Sequence, residues 1–180
     1  MSSTYLNSLL RAVGADPPVI LRDPPEAAIA SARLRSLFQY WETLPRGDRL
    51  PLTAAIDGLK IGPALGIVML LEPLEEPFEY RYRLYGSEIA LASKLELTGR
   101  TTAAIPSAEM RAFFRATYAA TIRSGRPLLC SHRPPAGFGI TCWCRLILPC
   151  EDGSGRIDRL LVGNEPAIPS LVRRRPWPDV

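Results

Sequence analysis

Proline sets the frame within which this chain can fold. Its 180 residues include 18 prolines, about twice the usual share. A proline ends a helix and is excluded from a central strand, so regular structure is confined to the gaps between them. The long proline-free windows are 26–44, 78–105, 107–126, 136–148 and 150–165. No period repeats across them, which argues against a solenoid. Residues 1–25 are polar and interrupted by Pro17-Pro18 and Pro24-Pro25, and they read as an extension. Residues 26–166 read as one domain, and 167–180 as a basic tail carrying Arg173, Arg174 and Arg175.

Within the windows, periodicity assigns the elements. Residues 26–44 are expected to form an amphipathic helix, because Leu34, Leu37, Phe38, Trp41 and Leu44 recur at spacings of three and four. Residues 65–71 read as a short strand. Residues 78–85 read as the clearest one, with Phe78, Tyr80, Tyr82 and Leu84 on one face. A short helix is expected after Gly86, capped near Ser87, with Ile89, Ala92 and Leu95 as its apolar side and Thr98-Gly99 as its stop. Residues 107–124 form a longer helix, with Ser107 as cap and Gly125 as terminator. Residues 128–132, 138–148 and 156–163 then form a three-strand meander, because short polar turns force antiparallel neighbours.

Composition narrows the setting. Hydrophobic residues at 47% in a chain of this length can build a core without a disulfide or metal. The formal charge of +4 is mild and no nucleic-acid motif is present, so neither nucleic acid nor a membrane is expected as a partner. The longest apolar run, 64–71, falls far short of the roughly 20 residues of a membrane helix. The expected address is the cytoplasm, where the four cysteines are reduced.

The order of helix, two strands, helices and three strands is the connectivity of a PAS domain, and the wording agrees. Tyr40-Trp41 closes the first helix, and Leu50-Pro51 and Ile56-Asp57 follow. Then come an Arg-x-x-Gly-Ser junction, Arg83 to Ser87, and a Leu-Thr-Gly-Arg, Leu97 to Arg100. In that order these motifs resemble a bacterial PAS subfamily over roughly residues 35 to 165. The resemblance implies an α+β fold: a five-stranded antiparallel sheet with helices on one face, joined by the N-terminal amphipathic helix. It also implies a sensory or docking role. No effector segment is recognisable beside the domain, so the expectation is action on a separate signalling partner, with a homodimer as the expected assembly.

No catalytic constellation is found. His132 is the sole histidine and is read as a surface residue at a strand end, away from any pocket. The helices contain no histidine to ligate haem, so no cofactor is expected. Cys142-Trp143-Cys144 lies within a strand rather than on a turn, unlike a zinc knuckle, so no metal is expected. Phe138, Ile140, Cys142, Cys144, Leu146 and Leu148 share one face, on which cysteine serves as a small hydrophobe. Cys130 and Cys150 complete the thiols, and a redox-sensing role stays open for all four. Glu75-Glu76 and Glu151-Asp152 lie in turns.

The remaining candidate is a pocket between the sheet and the helices, lined by Tyr80, Tyr82, Phe114, Tyr118, Cys142 and Cys144. Aromatic walls with a few hydroxyls suit a small organic ligand; a fully packed core is the equal alternative. Leu34, Leu37, Phe38 and Trp41 are expected to cover the sheet or a second subunit. The expected function is therefore a non-enzymatic PAS module that binds a small molecule or docks a partner. A pure interaction module with a filled core and a thiol redox sensor stand as alternatives.

Overall fold

The computed structural model describes residues 20–75, 78–132 and 142–167. Its first helix, α1, spans Ala32–Thr43 rather than starting at Glu26. Glu26–Ala28 form a single 3-10 turn behind Pro25. The Ser31 hydroxyl then accepts the Leu34 N–H at 3.1 Å and starts α1 as an N-cap. The helix stops at Leu44, whose backbone is extended as a residue before proline requires.

The sheet has six antiparallel strands, one more than expected. They are β1 (Ile20–Arg22), β2 (Val68–Pro73), β3 (Tyr80–Tyr85), β4 (Leu128–His132), β5 (Cys142–Glu151) and β6 (Ile157–Ala167), in the order β1-β4-β5-β6-β2-β3. The extra strand comes from the stretch read as an extension, where Ile20, Leu21 and Arg22 pair with Cys130, Leu129 and Leu128. Residues 65–67 are not strand: Gly62, at φ 63°, and Pro63 open a 3-10 segment Gly62–Ile67, so β2 begins at Val68. The N-terminal extension up to residue 19, the segment 133–141 with the Pro134–Gly137 turn, and the arginine tail lie outside the described residues.

Strand β3 breaks the expected alternation. A bulge between Leu70 and Leu71 pairs Leu70 with Leu84 but Leu71 with Tyr82. Tyr80 and Tyr82 stay buried, while Leu84 turns outward and Tyr85 packs against the core in its place. Phe78, at φ 64°, is 52% exposed and precedes the strand. A bulge adds one residue to one side of a ladder and so reverses the facing beyond it.

Helix α2 (Ser87–Ser93) is capped by Gly86, the neighbour of Ser87, and ends at Lys94 in the left-handed conformation, short of Thr98-Gly99. A Cβ on Gly86 would lie 2.4 Å from the Gly66 carbonyl oxygen, so only glycine fits that junction. Helix α3 (Ala108–Ser124) is capped by Ser107 and terminated by Gly125 as expected. Between them Leu97 to Arg100 closes the outer edge of β3: the Tyr82 N–H donates to the Arg100 carbonyl at 2.9 Å, and the Gly99 N–H to the Tyr82 carbonyl at 2.7 Å.

Helices cover both faces of the sheet. On one face α2 and α3 enclose a core with Met69, Tyr82, Ile89, Phe113, Tyr118, Ile147 and Val162. On the other, Leu34, Leu37, Phe38 and Trp41 of α1 pack on Val68, Leu146, Leu148, Cys150 and Leu161. The apolar stripe of α1 is thus a sheet cover within the chain. Its indole N–H, on Trp41, donates to the Pro149 carbonyl at 2.9 Å, and Arg46 stacks on the ring at 5.1 Å.

Replacing Trp41 by Ala should therefore cost about 3–5 kcal/mol in denaturant unfolding, as for other buried tryptophans. Sedimentation of the folded protein should not change, because the ring is used within the chain. A loss under about 1 kcal/mol would show that α1 does not cover the sheet.

Candidate functional site

The face toward α2 and α3 carries three cross-strand rows. His132 pairs with Trp143; Cys130, Arg145 and Asn164 form the next row; Leu128, Ile147, Val162, Met69 and Tyr85 form the third. Above these rows α3 does not fill the space, and a cavity of about 250 Å³ remains. Met69, Tyr82, Tyr85, His132, Trp143, Arg145 and Asn164 line it from the sheet. Ile89 and Ser93 of α2, Leu95, Leu97, Ile105, Pro106, Ser107, Met110 and Phe114 line it from the helices and their connection.

The connection is held in place by Glu79. Its carboxylate accepts the Thr102 hydroxyl at 2.6 Å and the Ala103 N–H at 2.8 Å, and pairs with Arg115 of α3. Burial opposes its charge, but these hydrogen bonds and Arg115 outweigh that and hold its pKa below the usual carboxylate range.

Arg145 is the centre of the polar wall. It is only 3% exposed. Its Nε donates to the Asn164 side-chain oxygen and its Nη1 to the Tyr118 hydroxyl, both at 3.3 Å. Its guanidinium lies 3.7 Å from the Phe114 ring centroid. No carboxylate forms an ion pair with it among the described residues. Behind it, Tyr80 meets Tyr118 edge-on with centroids 5.0 Å apart. Burial first, then the neighbouring Tyr118, pushes the Tyr82 hydroxyl pKa well above its ordinary value, so it stays protonated.

Of the six residues expected at the pocket, Tyr82 and Phe114 line it, and Tyr80 and Tyr118 stand behind in the same core. Cys144 packs on the opposite face against the α1 side, and Cys142 shares its parity on β5. Their placement is a correction. Both faces of β5 are buried, so alternation separates two sets without saying which set meets the cavity. His132 is also corrected: it is buried, lies tilted to Phe113 and edge-on to Phe114 with centroids 5.2 and 5.3 Å away, and lines the cavity. Sequence reasoning missed Arg145, Asn164 and Trp143. The signal was an arginine inside an otherwise apolar strand, since a buried charge is retained only where something pairs with it.

Cys130 and Cys150 are buried, while Cys142 and Cys144 are partly exposed. Burial pushes Cys130 and Cys150 up to about 12. Cys144 is raised by its hydrogen bond with Cys142 and by burial. No group of three or more metal-ligating side chains occurs among the described residues.

A family model described as PAS domain matches residues 29–162. The chain belongs to the PAS domain family, a class of sensory and interaction modules. Comparison with curated proteins and with solved structures returns no match. No helix among the described residues is long and apolar enough to cross a membrane.

Two measurements check this site. Burial, and then the Arg145 charge, hold the His132 pKa well below its ordinary value. The unfolded chain therefore gains a proton below about pH 6.5 that the native protein refuses, so stability is complete above that pH and declines below it, by up to about 1.4 kcal/mol per unit. With a single histidine in the chain, a pH series of urea melts should lose this slope in His132→Phe; an unchanged slope would mean the imidazole is not buried. In the second measurement, a thiol reagent at pH 8 should reach Cys130 and Cys150 only on unfolding, because the reactive species is the thiolate. Fast native labelling of either would favour the redox reading over core packing.

Proposed function

We propose that this PAS domain is a sensory module that takes a small molecule into the cavity beneath α3 and signals its presence to a separate protein partner. The observation that carries the reading is the cavity itself: apolar and aromatic walls around a few converging polar groups are the usual make-up of a ligand site. Its volume of about 250 Å³ lies below the range of roughly 300–1,000 Å³ for drug-sized ligands, so the ligand is small. Among the described residues the lining holds one imidazole and no carboxylate or thiol, which supports binding without conversion.

Helix α2 offers a route from ligand to partner. Ile89 and Ser93 line the cavity, while Leu91, between them, is 82% exposed on the outer side. Ligand and partner would then touch opposite sides of one seven-residue helix.

A thermal-shift screen of small metabolites, followed by native mass spectrometry, tests the reading. A true ligand should stabilise the fold by about 2.7 kcal/mol at a hundredfold excess over its Kd, be recovered unchanged, and lose affinity in Tyr82→Leu and Phe114→Ala. Turnover of a hit, or hits unaffected by both substitutions, would overturn it.

A further inference from the structure

Building on the reading that the cavity binds a small molecule, we propose that this molecule is a monoanionic organic acid, its carboxylate seated on Arg145 and its apolar body against the helices. The argument starts from an imbalance. A guanidinium keeps its charge in a protein, and a buried charge without a counter-charge is costly. Arg145 is buried, yet its fixed partners are a neutral amide, a neutral hydroxyl and two aromatic rings. These compensate in part, since an arginine over an aromatic face is stabilised by the ring quadrupole. They supply no negative charge, and no Asp or Glu among the described residues lines the cavity.

The unspent hydrogen-bonding capacity around Arg145 is mainly that of donors. Arg145 uses Nε and Nη1, leaving Nη2 without an acceptor among the described residues. The Asn164 side-chain oxygen is taken by Arg145, which leaves its NH₂ as a donor. The Trp143 indole N–H, a donor only, has no acceptor among the described residues either and lines the same wall. His132 Nδ1, buried without a partner among the described residues, joins them as a donor in its Nδ1–H tautomer. A wall of donors around one positive charge fits an acceptor-rich anion.

Charge balance and wall chemistry narrow the class. Burial and Arg145 keep His132 neutral, so the wall offers one positive charge and matches one negative charge. A phosphate monoester, at about −1.5 to −2 near neutral pH, would leave a buried excess. A halide or free phosphate would leave the opposite wall of Ile89, Leu97, Ile105 and Met110 without apolar contact. A carboxylate on a short aliphatic or aromatic body satisfies both sides.

The chain carries its own reporters. It has three methionines, and two of them, Met69 and Met110, line the cavity. With ¹³C-methyl methionine in the full-length protein, benzoate, phenylacetate and hexanoate are titrated beside their carboxamides. The carboxylates should shift the Met69 and Met110 signals and bind roughly 10–100-fold more tightly than the amides, the range for a hydrogen bond to a charged group. Arg145→Met should erase that preference while the amides still bind. If this variant does not fold, the preference within the wild-type protein decides alone. Amides binding as tightly as carboxylates would overturn the anion proposal and leave the small-molecule reading standing. No shift of either methionine with any compound at millimolar concentration would overturn both.

Discussion

Helix α1 can approach the sheet only where β6 has no side chain. A Cβ on Gly163 would lie 2.5 Å from Leu34 Cδ2 and 2.8 Å from Leu37 Cδ2, so any other residue would lift the helix off the strand or force both leucines out of place. Further along, the Trp41 indole fixes the same helix to β5. The Tyr40 hydroxyl accepts the Asp57 N–H at 2.8 Å and donates to the Asp57 carbonyl at 3.2 Å, tying α1 to the loop that follows it. This face has the tight packing on which globular stability rests, and it includes Ile67, Val68, Leu148 and Leu161, all without accessible surface.

Because one face is so well closed, the other tolerates a defect. Empty volume and a buried charge both cost stability, and here they lie side by side between the sheet and α3. A functional site commonly departs from the rules that the rest of a fold obeys. The empty volume and the Arg145 charge share one corner. Glu79 and Arg115 anchor the connection above it, and the turn from Leu97 to Arg100 clasps the edge of β3 beside it.

Most of the architecture was legible in the sequence, and the family motifs turn out to be its fastenings. Tyr40-Trp41, Leu50-Pro51, Ile56-Asp57, Gly86 and Leu97 to Arg100 each make a contact that joins two elements: the Pro51 carbonyl accepts the Glu151 N–H at 2.9 Å, for example. Of these motif residues only Tyr85, beside Gly86, and Leu97 reach the cavity. Hence the motifs pointed to the fold and said little of the site. The cavity residues of β5 and β6 were hidden by a symmetry of burial, for a strand covered on both sides shows two apolar faces. The bulge in β2–β3 and the edge strand β1 were equally out of reach, since both arise from tertiary pairing rather than from local pattern.

Alternation along β5 gives Arg145 a second consequence, in folding rather than in recognition. Cys144 and Leu146, its chain neighbours, face α1, while Arg145 faces away from it. A strand that slips by one residue exchanges its two faces. Slipped in this way, β5 would take the guanidinium from Asn164, Tyr118 and Phe114 and turn it toward the leucines of α1. An all-apolar β5 would accept either register at little cost. The buried charge of Arg145 therefore makes the two registers unequal before any ligand is present, and it favours the alignment in which the cavity forms.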